Sequence, residues 1–315
     1  MTKLAARLNT NVIDFIKLMD PKVLRVDDSD EFFKDDDWLA ETKKNGRRIQ
    51  CLISDDVYFA GRYGRNAKEK IHDFRWKFYK IYDDIKKMNL PSGTLLDGEV
   101  YLPGQPTKTF QIINSDTDKS VTLQRQHGFL KYTIFDLLFF NNQSLIENTL
   151  DFRKKKLASI IPTAFNVDVI ECFTKEKAKR KLWNDILNSL SKEKGIVFKL
   201  RESEYESKRS HCWKKMKHVQ TFDGVIMQYR FDLNDQKRVV SIDIGQYVGQ
   251  RLIKVANIAG LTNEQRNDLE SNEKKYKGQV VQFKADFQTD YSYKNPRFDR
   301  VRFDKRPQSC VWPES

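Results

Sequence analysis

The sequence predicts an α+β domain followed by a small β-barrel of the oligonucleotide-binding type. Two observations carry this. Up to about residue 218, runs of antiparallel-type strand character are mixed with amphipathic helical stretches. Beyond it, five short strand candidates and a single short helix follow within fewer than 100 residues. The boundaries are therefore set at residues 1–218 for the first domain and 219–315 for the second.

Residues 1–38 read as a helical and irregular approach segment. RIQCLI (48–53) and VYFA (57–60) are strands around a Ser-Asp-Asp turn. From Asn66 to Asn89 the apolar residues Ile71, Phe74, Phe78, Ile81 and Ile85 recur every three or four positions, which is the face of an amphipathic helix. Pro91-Ser92-Gly93 ends it. LLDGEVYL (95–102) and KYTIFDLLFF (131–140) are strands, LDFRKKKLASII (150–161) and the stretch from Thr174 to about Leu190 are helices, and GIVFKL (195–200) and CWKKMK (212–217) are strands again. After His218 the candidates are FDGVIMQYRF, RVVSIDIGQYV, LIKVANIAG, GQVVQFKADF and FDRVRF. TNEQRNDLES interrupts them as a helix, with Thr262 and Gln265 spaced for a capping box.

Composition narrows the function. Hydrophobic content of 39% and charged content of 32% describe a soluble globular protein with a highly charged surface. No apolar run reaches the ~18 residues of a membrane span, and the first residues, broken by charges and Asn, lack a signal-peptide core. Cys51, Cys172, Cys212 and Cys310 are scattered, which disfavours structural zinc and fits a reducing cytoplasm. A net charge of +13 favours a polyanionic partner, nucleic acid above all, and the lack of a spanning run leaves no membrane partner expected.

The stretch ETKKNGRRI (41–49) admits two readings on its own. Asn-Gly is a strong turn signal, so it reads as a solvated hairpin. It also reads as the edge of a phosphate-binding cleft with Lys43 as nucleophile. A lysine nucleophile needs neighbouring cations or burial to shed its proton. A phosphorus target needs Lys, Arg and a divalent metal to neutralise its oxygens, the metal needs carboxylates, and a purine needs an aromatic face. The sequence supplies each: Arg47, Arg48, Arg62, Arg65, Lys199, Arg209, Lys215, Lys217, Arg302 and Lys305 as cations, Phe135 as the ring, and Asp97 and Glu99 on one face of a strand by period-2 geometry.

Taken in order, these elements resemble the ATP-dependent DNA ligases of the covalent nucleotidyltransferase superfamily, in a compact form of phage, viral or bacterial type. KKNG supplies the signature lysine, with Glu41 two before it and Arg48 five after. GRYGRN, LLDGEV, YTIFDLL, KGIVFK, RSHCWKKMK and PRFDRVRFDK match the successive elements, over about residues 38–305. The resemblance implies a nucleotidyltransferase (adenylation) domain followed by an OB-fold domain, with a hinge near His218 to Phe222. It implies ATP and a divalent metal, Mg2+ or Mn2+, as cofactors, and nicked duplex DNA as partner of a monomeric enzyme serving DNA replication, repair and recombination. Lys43 would attack the α-phosphate of ATP to give lysyl-AMP, AMP would pass to a 5′-phosphate, and a 3′-hydroxyl would displace it. ATP and AMP would be held by Glu41, Arg48, Arg62, Glu99, Phe135, Lys199, Arg209, Lys215 and Lys217. Arg302, Asp304 and Lys305 would serve the pyrophosphate step, and Glu99, Asp97 and Glu193 are the candidate metal carboxylates. Two positions depart from the pattern: Asn45 replaces the signature Asp, and Lys194 stands where the family has Glu, with Glu193 one residue earlier. An RNA ligase or RNA-capping guanylyltransferase of the same superfamily, or an inactive nucleic-acid-binding protein, are the alternatives.

Overall fold

The computed structural model describes residues 15–61, 74–162, 164–188, 195–289 and 291–312. Arg62, Arg65, the first half of the helix expected from Asn66, Glu193 and Lys194 lie outside the described residues. The chain divides into two compact units, Met1–Lys217 and His218–Ser315.

In chain order the first unit holds β1 (Asp20–Val23), α1 (Asp30–Lys34), β2 (Trp38–Thr42), β3 (Arg47–Ile53), β4 (Val57–Gly61), α2 (Tyr79–Lys87), β5 (Thr94–Tyr101), α3 (Pro106–Asn114) and α4 (Thr117–His127). It continues with β6 (Lys131–Phe140), β7 (Gln143–Ser144), α5 (Leu150–Ile160), β8 (Val167–Val169), α6 (Glu176–Asn188), β9 (Gly195–Leu200) and β10 (Arg209–Lys217). One sheet runs β4-β3-β5-β6-β7 with β8 added to β6, and the other runs β1-β10-β9-β2. The ladders are antiparallel except β6 with β8 and β1 with β10. β1 arises within the segment expected to be irregular.

Burial follows the strand period. On the larger sheet Ile49, Cys51, Leu96, Val100, Tyr132 and Ile134 pack with Ile81, Ile112 and Leu157 of the helices and with Phe78 just before α2. Its other face presents Leu52, Leu95 and Leu138 to Met19, Tyr205 and Trp213, which joins it to the smaller sheet. Within β9, Ile196 and Phe198 turn to Phe32, Phe33 and Ile186 of α1 and α6. Val197 and Lys199 therefore face the opposite way, toward the space between the two sheets.

Beneath that space lies a buried ion pair. Arg153 of α5 donates to both oxygens of Asp136 on β6, from Nε at 2.8 Å and Nη2 at 3.0 Å. It also donates from Nη1 to the Asn148 and Ser203 carbonyls. Burial alone would raise the Asp136 carboxyl, but the Arg153 guanidinium outweighs it and holds it below its ordinary value. Arg153→Ala is expected to lower stability by about 3–5 kcal/mol, because it strands a carboxylate out of water. The paired change Arg153→Met with Asp136→Leu is expected to lose much less. Urea unfolding midpoints of the two proteins check this, and equal losses would locate the cost in packing.

The second unit contains β11 (Gln220–Phe231), β12 (Val239–Val248), β13 (Arg251–Ala259), α7 (Asn263–Ser271), α8 (Glu273–Tyr276), β14 (Val280–Ala285), β15 (Phe287–Gln288), β16 (Tyr293–Lys294) and β17 (Arg297–Arg302). Five strands form one antiparallel sheet, β13-β12-β11-β14-β17, around Ile226, Ile242, Ile244, Ile258 and Phe283. Its hydrogen-bonded path is open: among the described residues no ladder joins β13 to β17, so no closed barrel is seen. The α7 capping box is present, Gln265 N–H donating to Thr262 Oγ1 and Thr262 N–H to Gln265 Oε1.

Candidate functional site

ETKKNGRRI is not a hairpin. β2 pairs with β9 in the smaller sheet, whereas β3 pairs with β4 and β5 in the larger one. Residues 43–46 thus carry the chain from one sheet to the other, and neither Asn45 nor Gly46 has a positive φ. Gly46 is needed for space: a Cβ there would lie 2.2 Å from the Val100 carbonyl oxygen and 2.8 Å from Tyr101 Cβ. The crossing is pinned at both ends. Lys43 N–H donates to the Gly195 carbonyl at 2.7 Å, and Gly46 N–H donates to Glu99 Oε1 at 3.0 Å. Gly195 has φ +138, and a side chain there would strike the Met216 carbonyl.

The two sheets enclose a cleft of about 250 Å³. Lys43, Lys44, Glu99 and Lys215 line it together with Asp20, Pro21 and Arg48. Phe135, Thr133, Ile170, Val197, Lys199, Trp213, Glu41 and Thr42 complete the wall. Of the residues expected at the nucleotide, the structure brings Glu41, Lys43, Arg48, Glu99, Phe135, Lys199 and Lys215 together here. Arg209 is exposed at the start of β10 and, like Lys217, is not on this wall.

Glu41 is 2% exposed, and both its oxygens are engaged. Oε2 meets Lys199 Nζ at 2.7 Å, and Oε1 pairs with Lys154 Nζ of α5. The exposed Cys172 places Sγ 3.7 Å from Oε1. Burial works against the Lys154 ammonium, but Cys172 and Glu41 outweigh it and raise it above its ordinary value. The Lys199 ammonium is brought down to about 8, chiefly by burial, with Lys154 adding repulsion and Glu41 opposing. Its Nζ lies 4.4 Å from the centroid of Phe135 and 4.1 Å from that of Trp213, two rings set nearly perpendicular. Lys215 is lowered by burial and then by its neighbours Lys43 and Lys217.

Arg48 is bound as a fork. Nε and Nη2 donate to the two oxygens of Asp97 at 2.9 and 2.6 Å, Nη1 donates to the Met19 carbonyl, and Nη2 reaches the Tyr205 hydroxyl at 3.3 Å. Asp97 is fully buried, and Tyr205 also donates to it at 3.2 Å. Asp97 therefore faces Arg48 and not the cleft, although it shares a strand face with Glu99. Among the described residues no group of three or more His, Cys, Asp or Glu side chains forms a metal cluster. In the second unit Arg302 binds Asp304 at 2.7 and 2.6 Å, and Lys305 binds Asp223 at 2.5 Å.

Sequence reasoning missed Asp20, Lys154, Cys172 and Tyr205. For Lys154 a signal existed: the buried positions of α5 are Leu150, Arg153, Lys154 and Leu157, the spacing of a core face, with charges on two of them. Asp20 and Tyr205 reach the site through the β1–β10 pairing and the loop before β10, which no local pattern announces.

The chain matches the family model described as ATP dependent DNA ligase domain over residues 22–217. It is 28% identical over 207 residues to the SPbeta prophage-derived DNA ligase-like protein LigB of Bacillus subtilis (strain 168), covering 63% of this chain and 68% of that protein. It is 27% identical over 194 residues to Homo sapiens DNA ligase 4, covering 58% of this chain and only 21% of that much longer protein. Among solved structures, one from a structure-function analysis of Lig E DNA ligases superposes with a TM-score of 0.64 at 18% identity, covering 92% of this chain and all of that one. A mycobacterial DNA ligase D complexed with ATP and MES superposes at 0.50 and 18%, covering 95% and 99%. At these identities the two structures speak for the fold. The family match spans more than half of the chain and takes in β2 through β10, so this protein belongs to the ATP-dependent DNA ligases.

Proposed function

We propose that the cleft is the adenylation site and that Lys43 is the residue that accepts AMP. The observation that supports this best is the crossing from β2 to β3, where pinned backbone holds Lys43 in the cleft wall beside Lys215. The Lys43 amine attacks the α-phosphate of ATP, an N–P bond forms, and the bond to the pyrophosphate oxygen breaks. AMP then passes to the 5′-phosphate of a nick in duplex DNA, and the 3′-hydroxyl displaces it. Phe135 offers its ring to the adenine, Glu41 lies near the base, and Lys199 and Lys215 meet phosphate. Arg48, fastened to Asp97, lies beneath the α-phosphate as a fixed charge. Arg62, Arg209 and Lys217 are assigned to the nucleotide, and Arg302, Asp304 and Lys305 to the pyrophosphate step, by resemblance alone. The second unit is read as an OB-fold, and the enzyme as a monomer acting on nicked duplex.

A divalent metal fits one part of this set. Magnesium is commonly held by one or two carboxylates together with substrate phosphates. Glu99 at the cleft wall suits that, whereas Asp97, enclosed by Arg48 and Tyr205, does not. When bound, the metal supplies positive charge to the phosphate oxygens. The net charge of +13 supports a long contact with a phosphate backbone, which makes sealing salt-sensitive.

The test is direct. Protein incubated with ATP labelled on the α-phosphate should retain label through denaturing electrophoresis, and should then transfer it to a nicked duplex and seal it. Absence of adduct with Mg2+ and with Mn2+ would sink the reading.

Phe135 gives a separate prediction. Phe135→Ala is expected to weaken ATP use by about 1–3 kcal/mol, since base–aromatic stacking needs a ring. Phe135→Tyr should retain most of it. The KM for ATP in adduct formation separates them, and equal damage would mark Phe135 as a packing residue.

A further inference from the structure

The base-facing aromatic surface of the cleft is already occupied. Lys199 Nζ stands in the corner between Phe135 and Trp213, at 4.4 and 4.1 Å from their centroids. Arg48 lies over the same two rings at 5.1 and 5.4 Å. An adenine that stacks on the ring face beneath the Lys199 ammonium has to displace it. Arg48 is fastened by four hydrogen bonds to Asp97, Met19 and Tyr205. Among the described residues Lys199 is held by one ion pair, to Glu41. Glu41 has a second partner in Lys154, so it stays paired when Lys199 leaves. Two lysines thus share one carboxylate, and the departure of Lys199 leaves the Glu41–Lys154 pair intact.

We infer that Lys199 and the purine compete for the Phe135–Trp213 surface, so that Lys199 makes the site select nucleotides over nucleosides. A nucleoside must displace the ammonium and gives it nothing in return. A nucleotide displaces it and offers phosphate, so the charge moves from ring faces to an anion. Cation–π attraction is of the right size to act as such a gate. The groups around the ammonium agree: Glu41 and Asp136 favour the charge, Lys154 and burial oppose it, and burial wins. An ammonium in that balance is poorly satisfied where it stands, and an arriving phosphate improves its lot.

The inference rests on Phe135 as the base-binding face, and the experiment separates the two. Adenosine and ATP are titrated calorimetrically into protein carrying Lys43→Ala, which prevents adduct formation, alone and with Lys199→Met, Lys199→Gln or Phe135→Leu. Lys199→Met and Lys199→Gln are expected to bind adenosine about fivefold to thirtyfold more tightly. Their preference for ATP over adenosine should fall at least about tenfold, as a charge-assisted phosphate contact is lost. Phe135→Leu should weaken adenosine. Adenosine binding that is unchanged or weaker in both Lys199 variants overturns the inference while leaving Phe135 in place. Unchanged adenosine binding in Phe135→Leu overturns both. Loss of the fold in both Lys199 variants would make the ammonium a structural group, and would overturn the inference as well.

Discussion

Lys43→Ala is expected to abolish the covalent nucleotide adduct, a loss of at least about a thousandfold, while Lys44→Ala forms it at close to the parental rate. Adjacent lysines make this a test of register as well as of chemistry. Both line the cleft, but their surroundings differ. Lys43 has its backbone fixed to Gly195, and its charge acts on Lys215. Lys44 places its ammonium 5.1 Å from the Tyr101 ring. On the proposed reading, truncating Lys43 removes the amine that would form the N–P bond, while Lys44, Lys199 and Lys215 remain on the cleft wall. Rates of label incorporation from ATP decide the matter. Retention of adduct in Lys43→Ala with its loss in Lys44→Ala would shift the nucleophile by one residue.

Gly46→Ala is expected to cost about 2–4 kcal/mol in stability and to slow adduct formation at least about tenfold. The added methyl meets the Val100 carbonyl oxygen at 2.2 Å and its carbon at 2.9 Å. These are backbone atoms of β5, a strand flanked by β3 and β6, so they cannot yield as a flexible side chain would. The crossing itself must move instead. That breaks the bond from Gly46 N–H to Glu99 and shifts Lys43, three residues away. Urea unfolding and initial rates of adduct formation, measured on one preparation, check both halves. A variant with parental stability and rate would show that the crossing can lift off β5 freely.

The strands were the most legible part of the fold. KYTIFDLLFF and GIVFKL coincide with β6 and β9, because apolar runs of this length between turn residues have few other outcomes. α3 and α4 received no assignment, although Pro106 at a first helical turn and Asp116 as N-cap are start signals. β1 was hidden in a segment with no period, since its place depends on β10, about 190 residues later. The barrel expected after His218 was legible as five strands and a capped helix, but closure is a property of three-dimensional spacing that strand count does not determine. In the cleft, motif order led to Lys43, Phe135 and Lys199. It did not show that Glu41 would be shared by two lysines, because Lys154 comes from a helix far along the chain.

The order of strands in the smaller sheet bears on how the protein is made. Its edge strands, β1 and β2, leave the ribosome first, and its central strands, β9 and β10, leave about 150 residues later. A nascent chain that has reached α5 can pair β3, β4, β5 and β6, yet the backbone partner of Lys43 has not been synthesised. Until β9 emerges β2 lacks its strand partner, with only the bridge from Ala40 to Phe173 available to it once that residue is made, and is open to contacts with other chains. Truncated products ending before β9 should thus be compact in part but unable to bind nucleotide, and prone to aggregate in translation.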